Sequence, residues 1–275
     1  MKFKIVSIVA FYLVIGIGIS YAALEDGLIS AWTFDDGTAK DWQGKNRGEI
    51  LGGVEVVDGK FEKALSFDGK DGHVQIPHAE SMELLKDGLT VSAWIRSRAG
   101  GVNGNGMIAK GKGSGWGITY SFKIALGWSS PDNSICWGVC NESTEGYFQT
   151  TDVIEPDKWF FVCLTADGKE AVGYVAGEDG KVKIPPSGEG NPKALAAPYL
   201  TESGLPIEIG VAKLANGTTD GFFDGIIDEV YLWDRALSED EIAQLAQGTR
   251  PNFSNLVEPG GKLSTLWGII KSQNR

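Results

Sequence analysis

The sequence has 275 residues and a formal net charge of −11, with 42% apolar residues and 38 glycines. This composition excludes a disordered chain and indicates a folded domain rich in turns. An acidic surface repels nucleic acid and anionic membranes, so neither is expected as a partner.

The chain begins with a stretch typical of a secretory signal. Lys2 and Lys4 precede an uncharged apolar run, and the small residue Ala22 stands where signal peptidase cleaves. We predict a signal peptide over residues 1–22 and a secreted protein, extracellular or periplasmic, with association at the cell surface left open. The apolar run is short for a membrane span, which needs roughly 20 residues. A retained N-terminal anchor is the alternative, and no span is predicted in the mature chain.

Short alternating segments fill residues 23–248. "LTVSAWIRS" places Leu89, Val91, Ala93 and Ile95 on one face, and "HVQIP", "WFFVCLTADG" and "GIIDEVYLW" show the same period. Glycine, aspartate and asparagine separate these segments. Period two with frequent turn signals indicates an all-β sandwich or barrel formed by a single domain.

One helix is predicted, near the end of this domain, in "LSEDEIAQLAQG". Ser238 and Glu241 have the spacing of a capping box. Ile242 and Leu245 lie on one helical face, and Gly248 is suited to end the helix. One short helix among about a dozen strands is too few for an α/β fold.

Three cysteines are present in a chain that we expect to be exported: Cys136, Cys140 and Cys163. An odd number leaves at least one without an intramolecular partner. Cys163 lies in a separate strand and could pair with either of the others. Small buried thiols are the alternative.

Several stretches together resemble the laminin-G-like jelly rolls of the concanavalin A-like lectin and glucanase superfamily. They are "GLISAWTFDDGTAKDWQGKNRGEI", "DGKFEKALSFDGKDGHVQIP", "LTVSAWIRS", "PDKWFFVCLTADGKEAVGYV" and "FDGIIDEVYLWDRALSEDEI". The resemblance covers Gly27 to about Gly248. It implies a two-sheet antiparallel jelly-roll sandwich with one short C-terminal helix. Members of the superfamily bind glycans, proteins or cell surfaces, and some are catalytic, so the fold alone does not define a function.

Asp228 and Glu229 stand side by side in the apolar strand "GIIDEVYLW". Hydrolysis of a glycosidic bond needs two carboxylates that flank it. Strand alternation predicts that these two adjacent side chains point to opposite faces. The glucanase pattern Glu-x-Asp-x-x-Glu is absent from the sequence. We therefore predict no catalytic residues and a non-enzymatic protein, with a glycoside hydrolase as the less favoured alternative.

The same alternation places Asp228 on one face with Ile226, Val230 and Leu232, and places Glu229 on the other. A carboxylate among apolar side chains is costly unless it is paired or binds a metal. For Asp228, a structural calcium ion and hydrogen bonds from backbone amides both remain open. For Glu229, a hydrogen bond or ion pair that orders the strand is expected.

The resemblance implies where such a calcium ion would bind. It places a site on the convex side, where the aspartate of "IDEV" meets the N-terminal segment. The matching residues are Asp228, Asp41 and Asp35. The sequence departs from the family pattern at Gln43, where serine is usual.

Glycans are held by aromatic faces with a few polar groups beside them. The candidates for such contacts are Trp94, Arg96, Trp128, Trp137 and Tyr147. We therefore predict a lectin-like module that binds a glycan or glycoprotein. An adhesion module that recognises protein is the alternative.

The tail, residues 249–275, is predicted to be a linker followed by an amphipathic helix. Leu263, Leu266, Trp267 and Ile270 have the spacing of one helix face. This face could fold back on the domain or dock into a protein partner.

Overall fold

The computed structural model describes residues 23–82, 88–98, 105–114, 117–127, 133–139, 146–151, 153–195, 204–213 and 219–253. The predicted signal peptide and the predicted tail helix lie outside these residues. No helix within these ranges is both long enough and apolar enough to span a membrane.

Short strands dominate the described part of the chain, as the alternating segments predict. The elements are β1 (Leu28–Trp32), β2 (Glu49–Leu51), β3 (Val54–Asp58), β4 (Lys63–Asp68), β5 (His73–Ile76), β6 (Leu89–Ser97), β7 (Gly106–Ser114), β8 (Gly117–Leu126), β9 (Ile135–Gly138), β10 (Tyr147–Thr150), β11 (Phe160–Ala166), β12 (Glu170–Ala176), β13 (Val182–Lys183), β14 (Lys193–Ala194), β15 (Ile207–Ile209), β16 (Val211–Lys213), β17 (Thr219–Phe222), β18 (Asp224–Trp233) and α1 (Glu239–Ala246).

The strands form two nine-stranded sheets. Sheet A has the order β13-β12-β11-β6-β18-β4-β3, with β1 beside β18 and β14 beside β12. Sheet B has the order β10-β9-β8-β7-β15-β5-β2, and β17 pairs with both β16 and β7. The pairing is antiparallel except for one parallel contact between β17 and β7. The predicted antiparallel sandwich is therefore confirmed.

The main core lies between the two sheets. Val91, Ala93 and Ile95 of β6 point into it, as their alternation predicts, and they pack with apolar side chains of sheet B such as Trp137 and Phe148. Burying one large apolar side chain contributes about 1.5–3 kcal/mol, so this layer stabilises the sandwich more than any single polar contact.

A second apolar cluster covers the outer face of sheet A. Ile242 and Leu245 of α1 pack there with Tyr174 and Trp233. The predicted capping box is confirmed. The Ser238 hydroxyl accepts a hydrogen bond from the backbone N–H of Glu241, and the Glu241 carboxylate accepts one from the backbone N–H of Ser238. The helix therefore begins where the sequence predicts, and it closes this face of the sheet.

Strand β18 contains a β-bulge at the paired acids. Asp228 lies opposite Trp94 and Tyr231 lies opposite Ser92, so β18 has one more residue between these pairs than β6. Glu229 has a positive φ of 53°, a conformation that non-glycine residues adopt uncommonly. An extra residue in one strand reverses the alternation beyond it.

The bulge places Asp228 and Glu229 on the same face, so the predicted opposite orientation is wrong. Val230 packs in the core between the sheets, whereas Tyr231 packs in the outer cluster. The carboxylate of Glu229 accepts a hydrogen bond from the Tyr231 hydroxyl on that outer side. Asp228 faces the same side, because it accepts a hydrogen bond from the backbone N–H of Phe61, which packs against the outer cluster.

Two of the three cysteines lie in the described residues. Cys136 and Cys163 are both buried and form no disulfide. Burial raises the pKa of the Cys163 thiol far above its usual range. The small-buried-thiol alternative therefore describes these two residues, and Cys140 lies outside the described ranges.

Candidate functional site

Four charged side chains meet on the outer face of sheet A, and we call them the Arg250 cluster. They are Asp35, Asp228, Glu229 and Arg250. The Arg250 guanidinium donates a hydrogen bond from Nε to Glu229 Oε2 over 2.9 Å, and its Nη2 lies 2.7 Å from Glu229 Oε1. The same guanidinium pairs with Asp35. The ion pair expected for Glu229 is therefore present.

Burial governs the electrostatics of this cluster. It raises the pKa of Asp228 and of Glu229 well above their usual ranges, although hydrogen bonds from backbone amides lower the pKa of Asp228 and Arg250 lowers that of Glu229. Burial also opposes the charge of Arg250, but its hydrogen bonds with Asp35 and Glu229 hold its pKa above the usual value. The cluster contains three carboxyl groups and one guanidinium, so it has a surplus of negative charge when all are ionised.

The donor chemistry of the Arg250 cluster suits a hard cation. Asp35 Oδ1 and Asp228 Oδ1 are buried and accept no hydrogen bond within the described structure, whereas both oxygens of Glu229 are engaged by Arg250. Carboxylate oxygens are the ligands that calcium prefers. The described residues nevertheless contain no group of three His, Cys, Asp or Glu side chains already arranged to hold a metal ion. The residues fit calcium by chemistry, and binding would require them to converge further.

Asp41 lies in a different environment. Its Oδ1 accepts hydrogen bonds from the backbone N–H groups of Ala31, Gln43 and Gly44, at 2.9, 3.1 and 3.0 Å. Its Oδ2 accepts one from the N–H of Asn46 at 3.0 Å. Asp41 therefore orders the turn after β1, and both of its oxygens are already in use. Of the three predicted calcium ligands, the structure brings together Asp35 and Asp228.

A cleft of about 570 Å³ opens near the ends of β11, β12 and β13, and we call it the Trp159 cleft. Its apolar lining includes Val153, Trp159, Phe160, Ile184, Pro185 and Pro186. Ile184 is 39% exposed, an unusual value for a large apolar side chain in this fold. The Arg96 guanidinium lies over the Trp159 ring, 5.7 Å from the centroid, so that a predicted ligand-binding residue contacts a residue of this cleft.

Charged side chains complete the lining of the Trp159 cleft. They are Glu155, Lys158, Glu178, Asp179 and Lys183. Lys158 donates a hydrogen bond to Glu155 over 2.6 Å. An aromatic ring beside polar groups in an open cleft is the arrangement that sugar binding uses.

The aromatic residues that were predicted to contact a glycan lie in different parts of the fold. Trp94 is buried on the outer face of sheet A, where it packs against Phe61 and Phe161. Trp137 is fully buried between the sheets, and its Nε1 donates a hydrogen bond to Thr150 over 3.0 Å. Both rings therefore contribute to packing in this conformation. Trp128 lies outside the described residues.

Tyr147 is the last residue of a row that crosses the outer face of sheet B. Each residue of the row lies opposite the next one on the neighbouring strand. The row runs Gln75, Glu208, Ala109, Lys123, Gly138, Tyr147. Glu208 is buried, pairs with Lys213 and accepts a hydrogen bond from Gln75 over 2.9 Å. The Tyr147 ring lies against Gly138, where any added Cβ would approach it to 2.2 Å. The row consists partly of small residues, and the contacts of Glu208 with Gln75 and Lys213 join β5, β15 and β16.

Sequence reasoning missed Arg250 and Trp159. Arg250 follows α1, and nothing in its local sequence indicates that it meets a strand 21 residues earlier. Trp159 had a local signal, because it follows the turn "EPD" and precedes a buried strand. A tryptophan between a turn and a strand is often only half-buried, which is its state here.

The family comparison gives a direct assignment. A laminin-G-type family model, described as the concanavalin A-like lectin/glucanases superfamily, matches residues 68–243. This match spans more than half of the chain, so the chain belongs to that family. No curated protein matches the sequence.

Solved structures share the fold at low sequence identity. Domain 4 of AbnA, a GH43 extracellular arabinanase from Geobacillus stearothermophilus, solved with arabinotriose, has a TM-score of 0.56 and 18% identity, over 80% of this chain and 98% of that domain. The binding domain of botulinum neurotoxin DC, in complex with rat synaptotagmin II, has a TM-score of 0.57 and 18% identity, over 82% of this chain and 52% of that one.

A structure of botulinum neurotoxin type C is also similar, and its description states that cell entry depends on two ganglioside molecules. Its TM-score is 0.58 at 19% identity, over 82% of this chain and 51% of that one. The chain thus spans about half of each of these two toxin chains. Of these three structures, the one in complex with synaptotagmin II is described as a binding domain.

Proposed function

We propose that this protein is a secreted, non-catalytic module that binds a glycan or glycoprotein, and that the Trp159 cleft holds the ligand. The observation that carries the proposal is the open cleft that combines a half-buried tryptophan, an exposed isoleucine and a charged rim. Arg96 supports the site by packing over the Trp159 ring. A volume of about 570 Å³ is within the range of small-ligand sites.

The similar structures support this class of function. The arabinanase domain was solved with arabinotriose, and the type C toxin is described with gangliosides. The synaptotagmin complex supports the alternative, an adhesion module that recognises protein. We favour glycan because the cleft offers an aromatic face with acceptors and donors beside it, which suits a sugar ring and its hydroxyls.

The absence of catalysis is part of the proposal. A hydrolase needs two carboxylates that reach one bond from either side. Although Asp228 and Glu229 share a face, both are buried, and Glu229 is engaged by Arg250 and Tyr231. Neither carboxylate lines the Trp159 cleft.

We also propose a structural calcium ion at the Arg250 cluster, held by Asp35 and Asp228. The unpartnered Oδ1 atoms of Asp35 and Asp228 support it, because a divalent cation would supply the charge that one guanidinium leaves uncompensated. When bound, the ion would neutralise charge and tie the residues after β1 to β18.

A binding measurement on a single pair of variants tests the main proposal. Trp159→Ala should weaken binding to glycans identified on an array by at least about tenfold, since loss of a stacking aromatic costs 1.4 kcal/mol or more. Trp42→Ala is the matched control, because it removes a half-buried tryptophan outside the cleft. Equal affinities of the two variants for the glycan would exclude the Trp159 cleft as the ligand site. If the module binds a protein partner and binds no glycan, the adhesion alternative is favoured.

A further inference from the structure

The charges of the Trp159 cleft bear on the class of glycan that it accepts. Three carboxylates and two ammonium groups line the cleft, so the lining carries a formal excess of one negative charge. The whole chain is acidic as well, with a net charge of −11. A field of this sign disfavours the approach of an anionic ligand.

The two lysines of the cleft offer little free positive charge. Lys158 is held by Glu155 at 2.6 Å, and this ion pair together with the nearby Glu178 raises the pKa of Lys158. Lys183 alone remains to meet a ligand carboxylate. Tight recognition of a carboxylate instead uses a planar guanidinium fork or several converging donors. The Arg96 guanidinium lies over the ring of Trp159, and no arginine is among the described residues that line the cleft.

The acidic residues, in contrast, suit hydroxyl groups. Glu178 and Asp179 are exposed neighbours on the loop after β12 and line the cleft together. Ionised carboxylates only accept hydrogen bonds, and sugar hydroxyls donate them. Charge-assisted hydrogen bonds of this kind are stronger than those between neutral groups.

From these observations we infer that the Trp159 cleft selects neutral oligosaccharides over sugars that carry a carboxylate, such as sialylated or uronic acid-containing glycans. The inference rests on the proposed function and names its ligand class. The ring of one sugar packs on Trp159, and its hydroxyls donate to Glu178 and Asp179. A carboxylate at the same place meets like charge and loses affinity.

Calorimetric titration with matched sugars tests this selectivity. The probes are arabinotriose, xylotriose and lactose as neutral ligands, with trigalacturonate and sialyllactose as acidic ones. We expect each neutral sugar that binds to have a Kd at least tenfold lower than the Kd of either acidic sugar. Tighter binding of an acidic sugar overturns the selectivity but leaves glycan binding in place. If none of the five sugars binds, the result contradicts the proposed function itself.

Charge reversal gives the second arm of the test. Glu178→Lys should raise the affinity for sialyllactose or trigalacturonate by several-fold, because it supplies the missing counter-charge. Glu170→Lys makes the same change at an exposed position outside the cleft, and should not alter the preference. Both residues are exposed, so each substitution should leave the fold intact. An equal gain from both variants shows that overall charge, not the cleft, controls selectivity, and overturns the inference.

Discussion

The Nη2 of Arg250 lies 2.7 Å from the Oε1 of Glu229, and this contact joins the segment after α1 to the bulge of β18. The carboxylate of Glu229 is almost fully buried, whereas the Arg250 side chain is 28% exposed. The guanidinium therefore reaches the carboxylate from the solvent side and closes the outer face of sheet A at this point. Asp35 pairs with the same guanidinium, so that one arginine links the segment after β1 to β18.

Arg250→Met should destabilise the domain. Removing one partner of a buried ion pair costs roughly 3–5 kcal/mol, and the partial exposure of Arg250 places the expected loss near the lower end, at about 3 kcal/mol. Chemical denaturation measures the loss. Lys63→Met is the control, because the Lys63–Asp58 pair is largely exposed and should contribute less than about 1 kcal/mol. Similar losses in both variants would show that the Arg250 cluster does not stabilise the fold.

Calcium should raise the melting temperature of the wild-type protein. A ligand at 100 times its Kd stabilises the folded state by about 2.7 kcal/mol. The shift should disappear in Asp35→Asn and Asp228→Asn. Asp41→Asn should lower stability but keep the calcium response, since its oxygens accept backbone hydrogen bonds. A wild-type melting curve that is the same in calcium and in chelator contradicts the calcium proposal.

Trp137→Phe should separate packing from binding. The variant loses the hydrogen bond to Thr150 and part of the core volume, so we expect a loss of about 1–3 kcal/mol. Denaturation measures the loss, and titration with the best neutral glycan should give an unchanged Kd. A weakened Kd in a variant that stays folded would instead place Trp137 in the ligand site.

Ser238→Ala should cost about 1 kcal/mol, because the start of α1 loses its side-chain cap. Thermal unfolding measures the change. Ser238→Asp should restore most of the stability, since aspartate is also a favourable cap. Failure of aspartate to rescue would show that Ser238 stabilises the helix by another contact.

Purified protein should release no reducing ends from β-glucans, xylan, agar or carrageenan. Asp228 and Glu229 are buried in the Arg250 cluster and do not line the cleft. A reducing-sugar assay over long incubations checks this. Sustained turnover that is lost in Asp228→Asn and Glu229→Gln would overturn the non-catalytic proposal.

Local sequence determined the elements of the sandwich. The alternation in β6 predicts its inward face, and Ser238 with Glu241 predicts the capped start of α1. Both depend on residues close together in the chain, whose spacing sets which side chains share a face. The family resemblance, which rests on longer stretches, added the two-sheet arrangement.

Tertiary structure alone decided the arrangement around Asp228 and Glu229. A single extra residue in β18 relative to β6 reversed the expected orientation, and register between two strands distant in sequence cannot be read from either strand alone. The partner of Glu229, Arg250, comes from a third segment. The Trp159 cleft likewise forms only when the ends of β11, β12 and β13 meet. Local spacing therefore determined the elements of this protein, and contacts between distant segments determined its candidate sites.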